Sequence, residues 1–121
     1  MAEYASGETQ TATLIDLAAL RPSQTLVAFD RRELSEILNV YGRMVAAGEW
    51  RDYAIDMLKD QAVFSIFRRT SEMPIYRIEK NPKLARRQGA FSVVAAGGLV
   101  MKRGHDLAQV LRVFDRQLKQ V

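Results

Sequence analysis

Nine basic side chains fall between Arg68 and Arg103, and they are the residues of this chain best suited to chemistry with an outside partner. They are Arg68, Arg69, Arg77, Lys80, Lys83, Arg86, Arg87, Lys102 and Arg103, against only Glu72 and Glu79 in the same stretch. Cationic side chains neutralise phosphates and release condensed counterions, so such a cluster can hold nucleic acid without reading its bases. The loop Asn81 to Gly89 carries Lys83, Arg86 and Arg87 in nine residues. Lys102 and Arg103 stand just before the expected start of a helix, where free N–H groups favour an anion. The candidate anion or nucleic-acid surface is therefore Lys80, Lys83, Arg86, Arg87, Lys102 and Arg103. A plainer reading stands beside it. Strand residues alternate faces, so Arg68 and Arg69 diverge. Basic residues on strands also guard sheet edges, and the acidic first half of the chain can supply partners for others.

The remaining polar residues do not assemble a reaction centre. His105 is the single histidine, and no G-x-S-x-G elbow accompanies it. Its position next to Asp106 suits a helix cap or first turn. One histidine without cysteine makes a poor zinc site. Glu33 belongs to a helix-capping pattern, Glu36 lies outside the apolar stripe, and Asp52, Asp56 and Asp60 fall on an expected strand and turn where they do not converge. No GK[ST] sequence marks a phosphate-binding loop. No catalytic residue, metal site or cofactor is assigned, and the chain is read as a non-enzyme.

A chain of 121 residues, 48% hydrophobic and 26% charged, suits one globular domain with its own core. The absence of cysteine excludes a disulfide scaffold and fits a reducing compartment. The opening MAEYASGETQTAT has neither the basic nor the apolar region of a signal peptide. The longest apolar run, Phe91 to Met101, is interrupted by Ser92 and Gly97-Gly98 and is short of the roughly 20 residues that span a bilayer. The expectation is a cytoplasmic protein without a membrane role. The net charge of +4 conceals a split. Residues 1–65 hold six basic and ten acidic side chains, and residues 66–121 hold twelve and four. Such asymmetry favours an acidic partner, or else makes a dipolar, soluble surface.

These residues must be positioned by a small set of elements. Residues 1–24 read as a flexible tail, in which Leu14, Ile15, Leu17, Ala18 and Leu20 form one apolar patch. That patch can dock on the domain or serve as a short motif for a partner. Residues 25–121 form the domain. Thr25–Phe29 reads as a first strand. Asp30 and Glu33 make a capping box, flanked by Phe29 and Leu34 as a hydrophobic staple. The helix they start has the stripe Leu34, Ile37, Leu38, Tyr41 and Val45, and Gly48 suits its left-handed stop. Tyr53–Met57 alternates as a half-buried strand, and Ala62–Phe67 reads as a more central one. Ile75–Glu79 follows Pro74 as a third strand. Phe91–Ala95 and Leu99–Met101 flank a Gly97-Gly98 turn. A last helix runs from about Asp106 to Lys119 with the stripe Leu107, Val110, Leu111, Phe114 and Leu118. Trp50 reads as a core plug beside Tyr41 and Tyr53.

The fold class is α+β, an antiparallel sheet of about four to six strands with two main helices in the order β-α-β-β-β-β-β-α. Two helices on one sheet face is the economical packing. Phe64, Phe67 and Tyr76 are apolar for the other face, so a homodimer through the sheet is one expectation.

Three stretches carry a resemblance. FDRRELSEILNVYGRMVAAGEWRDYAID (Phe29 to Asp56), YRIEKNPKLARRQG (Tyr76 to Gly89) and VMKRGHDLAQVLRVFD (Val100 to Asp115) are similar to an uncharacterised family of short alphaproteobacterial proteins, a domain of unknown function. The resemblance covers about residues 25–118. It implies a bacterial cytosolic setting and brings no activity, cofactor or catalytic residue with it. The functional expectation is an accessory or regulatory protein acting by macromolecular binding to an unidentified protein. The alternative is nucleic-acid binding through residues 80–87 and the start of the last helix.

Overall fold

The computed structural model describes residues 25–69 and 73–115. The expected N-terminal tail with its apolar patch, and the last helix beyond Asp115, lie outside them. Helix α1 spans Arg31–Ala46. Strands β1 (Asp52–Met57), β2 (Ala62–Phe67), β3 (Tyr76–Lys80), β4 (Phe91–Ala95) and β5 (Val100–Gly104) follow, and helix α2 (Leu107–Leu111) closes the order with a 3-10 turn at Arg112–Phe114. The strands form one antiparallel sheet in chain order, β1-β2-β3-β4-β5. The class is the expected α+β.

No strand precedes α1 among the described residues. Residues 25–29 have no regular secondary structure and, among the described residues, make a single backbone–backbone bond, from Val27 N to Leu58 O at 2.7 Å. One such bond tethers a segment without adding it to a ladder.

The start of α1 is the capping box expected. Glu33 N donates to Asp30 Oδ1 and Asp30 N donates to Glu33 Oε1, each at 2.8 Å, which satisfies two donors that the first turn otherwise leaves unpaired. The buried face of α1 is rotated from the stripe expected. Ile37, Val40 and Met44 are buried, while Leu38 and Val45 are exposed at 36% and 41%. Positions 37, 40, 41 and 44 satisfy the helical spacing as well as the expected set does. Periodicity alone does not choose between two adjacent stripes that are both apolar.

Both helices lie on one sheet face. Ile37, Val40 and Met44 of α1 share a core with Leu107, Val110, Leu111 and Phe114, and with Phe64, Ile66, Ile78 and Val93 from the sheet. Phe64, Ile78 and Val93 sit opposite one another across β2, β3 and β4, which puts them on the same face. Trp50 is 2% exposed at the helix-strand junction. Its ring meets Tyr41, Tyr76 and Phe114 at centroid distances of 6.0, 6.2 and 4.9 Å, while Tyr53 stacks instead on Phe64 at 4.8 Å. Phe64 and Tyr76 therefore belong to the helix-covered face, not to the open face on which a sheet-mediated dimer was premised. Of the three residues in that premise, only Phe67 lies on the other side.

Strand β1 is an edge strand, and it is exposed along almost its whole length rather than half-buried. Alternation reports which residues share a face, but it does not report whether the strand sits at the edge of the sheet.

Candidate macromolecule-binding surfaces

Two surfaces stand out, one basic and one apolar. The basic one is organised by the loop between β3 and β4. Asn81 caps the 3-10 turn Pro82–Leu84 by accepting from Lys83 N at 3.1 Å. Arg87 N and Gly89 N both donate to Leu84 O, at 3.0 and 2.9 Å, and Asn81 N donates to Ala90 O at 2.7 Å. These bonds fold the loop back on itself. Gly89, with φ at +101°, is pressed against the backbone of Gly104 at the end of β5. Arg103 Nη1 donates to the side-chain Oε1 of Gln88 across the same junction. The loop and β5, distant in sequence, thereby become one surface.

The six candidate residues divide on that surface. Lys80 leaves it: its ammonium is 2.8 Å from Glu33 Oε1 and 2.9 Å from Ala28 O, and both ionised side chains are more than four-fifths covered. It ties β3 to the start of α1. Lys83 is exposed but pairs with Asp60 at 3.0 Å. Arg103 is engaged by Gln88, and its Nε is buried without a hydrogen-bond partner among the described residues. The side chains of Arg86, Arg87 and Lys102 are exposed and make no hydrogen bond or ion pair among the described residues. The acidic first half also holds Arg68 through Glu49 at 3.6 Å. Part of the basic excess is thus neutralised within the chain.

The helix N-terminus expected to help bind an anion is already occupied. Asp106 caps α2 by accepting from Ala108 N at 3.0 Å, and α2 is five residues long. Lys102 and Arg103 lie within β5 and do not lead into a free helix end.

The apolar surface is not evident from the sequence. Along β1, Tyr53, Ile55 and Met57 are 41%, 39% and 52% exposed, and Leu58 beyond it is 44% exposed. Tyr53, Ile55 and Met57 share one face by alternation, and they lie on a strand that, among the described residues, has a hydrogen-bonded neighbour strand on one side only. Leu38 and Val45 of α1 are exposed as well. The signal available in the sequence was alternation, which looks the same for a strand packed against a core.

A polar hollow of about 300 Å³ lies between the start of α1 and the start of α2, lined among others by Asp30, Glu33, Glu36, His105 and Asp106. Asp30, Glu33 and Asp106 are engaged as helix caps. No group of three or more histidine or carboxylate residues among the described residues is arranged to hold a metal ion. No helix among them is long and apolar enough to cross a membrane.

Two side chains among the described residues have displaced pKa values. Burial, with Asp52 and Tyr53 adding to it, holds the Tyr41 phenol above its ordinary value. The hydrogen bond and charge of Lys83 hold Asp60 below the usual aspartate range.

Residues 27–111 match the family model described as protein of unknown function (DUF2794), and the chain belongs to that family. Neither the curated proteins nor the solved structures contain a match.

Proposed function

We propose that this member of the DUF2794 family is a small accessory or regulatory protein of the bacterial cytosol. It works by binding another protein and catalyses no reaction. The observation that supports this reading is strand β1, which stands at the edge of the sheet among the described residues and on which Tyr53, Ile55 and Met57 present an apolar row. An exposed edge is a template for an added strand, with main-chain bonds giving affinity and alternate side chains giving selectivity. The test is affinity capture from the native host with the full chain and with Ile55→Lys. A protein retained by the first and lost by the second supports the reading. An identical set from both removes β1 as the binding edge.

A second reading rests on a different observation, the three unpaired cations Arg86, Arg87 and Lys102 on the joined surface of the loop and β5. On this reading the protein binds nucleic acid through phosphate contacts. Binding to random duplex DNA and single-stranded RNA is measured across a salt series, with the triple variant Arg86/Arg87/Lys102→Ala as control. Phosphate-driven affinity falls steeply with salt and is lost in the variant. Absence of binding at low salt would dismiss it.

A further inference from the structure

Strands β2 and β4 are buried on both faces, yet the described helices lie on only one. On the helix-free face, Val63 and Ser65 of β2 and Ser92 and Val94 of β4 are at most 7% exposed. The register sets them in adjacent rows around Arg77 and Glu79 of β3. None of the four belongs to the helix-side core. A sheet with one wet face alternates buried and exposed positions along each strand, whereas β2 is buried at five successive positions. Arg103, opposite Ser92 and so on this same face, has its Nε buried and without a hydrogen-bond partner among the described residues. Something covers this face.

We propose that the cover is the chain's own segment Leu14–Leu20. It holds Leu14, Ile15, Leu17, Ala18 and Leu20 in seven residues, with Asp16 as its one charge. The face it would meet is complementary. Small side chains (Ala54, Val63, Ser65, Ser92, Val94) leave a shallow surface for large apolar ones. Arg103, whose Nε is buried without a hydrogen-bond partner among the described residues, offers a cation to Asp16, whereas Arg77 is already paired with Glu79 at 3.1 Å. The reach is sufficient. Val27 is tethered to Leu58 at the β1–β2 turn, and the five residues from Leu20 to Thr25 extend up to about 17 Å, more than three strand spacings of about 4.8 Å. The other end of the chain is badly placed for the task. Phe114 packs in the helix-side core and Asp115 lies 3.8 Å from Arg43 of α1, so residues 116–121 depart from the opposite layer. They bring only Leu118 and Val121 as large apolar side chains.

The chain has no cysteine, so single cysteines report accessibility without background. In the full-length protein, thiol labelling is timed at Val94→Cys, at the exposed Leu99→Cys and at the helix-side Ile78→Cys. Each is made with the natural segment and with Leu14→Asp/Leu17→Asp. Labelling of a covered site needs local opening, so Val94→Cys should react slowly and accelerate about tenfold or more when the segment is altered. Ile78→Cys should stay slow in both, showing that the fold survives. Fast labelling of Val94→Cys with the natural segment overturns the proposal. So does slow labelling that the altered segment leaves unchanged, and so does protection that disappears on dilution, which would assign the face to a second copy of the chain. If the altered segment unfolds the protein, a short thiol crosslinker decides instead. It should join Leu17→Cys to Val63→Cys or to Val94→Cys within one monomer, and failure at both pairs overturns the proposal.

Discussion

Gly89 lies so close to Gly104 that a Cβ on Gly89 would overlap the Gly104 carbonyl group and stand 2.6 Å from His105 N. Its φ of +101° is also one that side chains resist. The loop that carries Lys83, Arg86 and Arg87 is held against β5 at this point. Gly89→Ala should therefore cost at least about 2 kcal/mol, combining backbone strain with a collision that has no side chain to yield. Chemical denaturation checks it. A loss below about 0.5 kcal/mol would mean the two backbones separate at little cost.

Lys80→Met removes a charge from a largely covered pair and leaves Glu33 with one partner fewer. The expected loss is about 1–3 kcal/mol, because the remaining carboxylate keeps its desolvation cost without the ammonium. Thermal unfolding of Lys80→Met, Glu33→Gln and the double variant measures the coupling. Strict additivity of the two single losses would show that the pair contributes nothing as a pair.

The rotation of the α1 stripe separates two neighbouring positions. Met44 is fully buried and Val45 is 41% exposed. Met44→Ala should lose about 2–5 kcal/mol, and Val45→Ala should change stability by no more than about 0.5 kcal/mol. The opposite ranking by urea denaturation would restore the stripe through Leu38 and Val45.

Asp60 gives a pH signature. Lys83 lowers its folded-state pKa below the ordinary aspartate value. A group lowered in this way stabilises the fold at pH above its unfolded value, and the contribution is lost as pH falls through the folded one. Carbon-detected NMR titration should find Asp60 below the usual range in the natural protein and back within it in Lys83→Ala. An unchanged titration in the variant would assign the shift to another cause. Both side chains are more than half exposed, so overall stability near neutral pH should hardly differ.

Much of the architecture was legible because its determinants are local. The capping box at Asp30 and Glu33, the left-handed Gly48, the Gly97-Gly98 turn and the stripe of Leu107, Val110, Leu111 and Phe114 through α2 and the 3-10 turn after it depend on residues three or four apart, and the chain carries each within one window. Strand alternation was legible for the same reason. Three features were not. Thr25–Phe29 has strand composition, but a strand also needs a neighbour to complete its ladder, and among the described residues a single backbone bond to Leu58 is what it finds. Tyr53, Ile55 and Met57 alternate like core residues, but β1 has a strand on one side only. Sequence proximity groups Lys80 with the loop cations, whereas β3 delivers it to Glu33, 47 residues earlier. Composition, periodicity and caps by themselves determined that this is an α+β domain with a basic second half. Which strand stands at the edge, which of two apolar stripes turns inward and which lysine is neutralised were decided only by the tertiary structure, because each depends on contacts between residues far apart in the chain that no local pattern encodes.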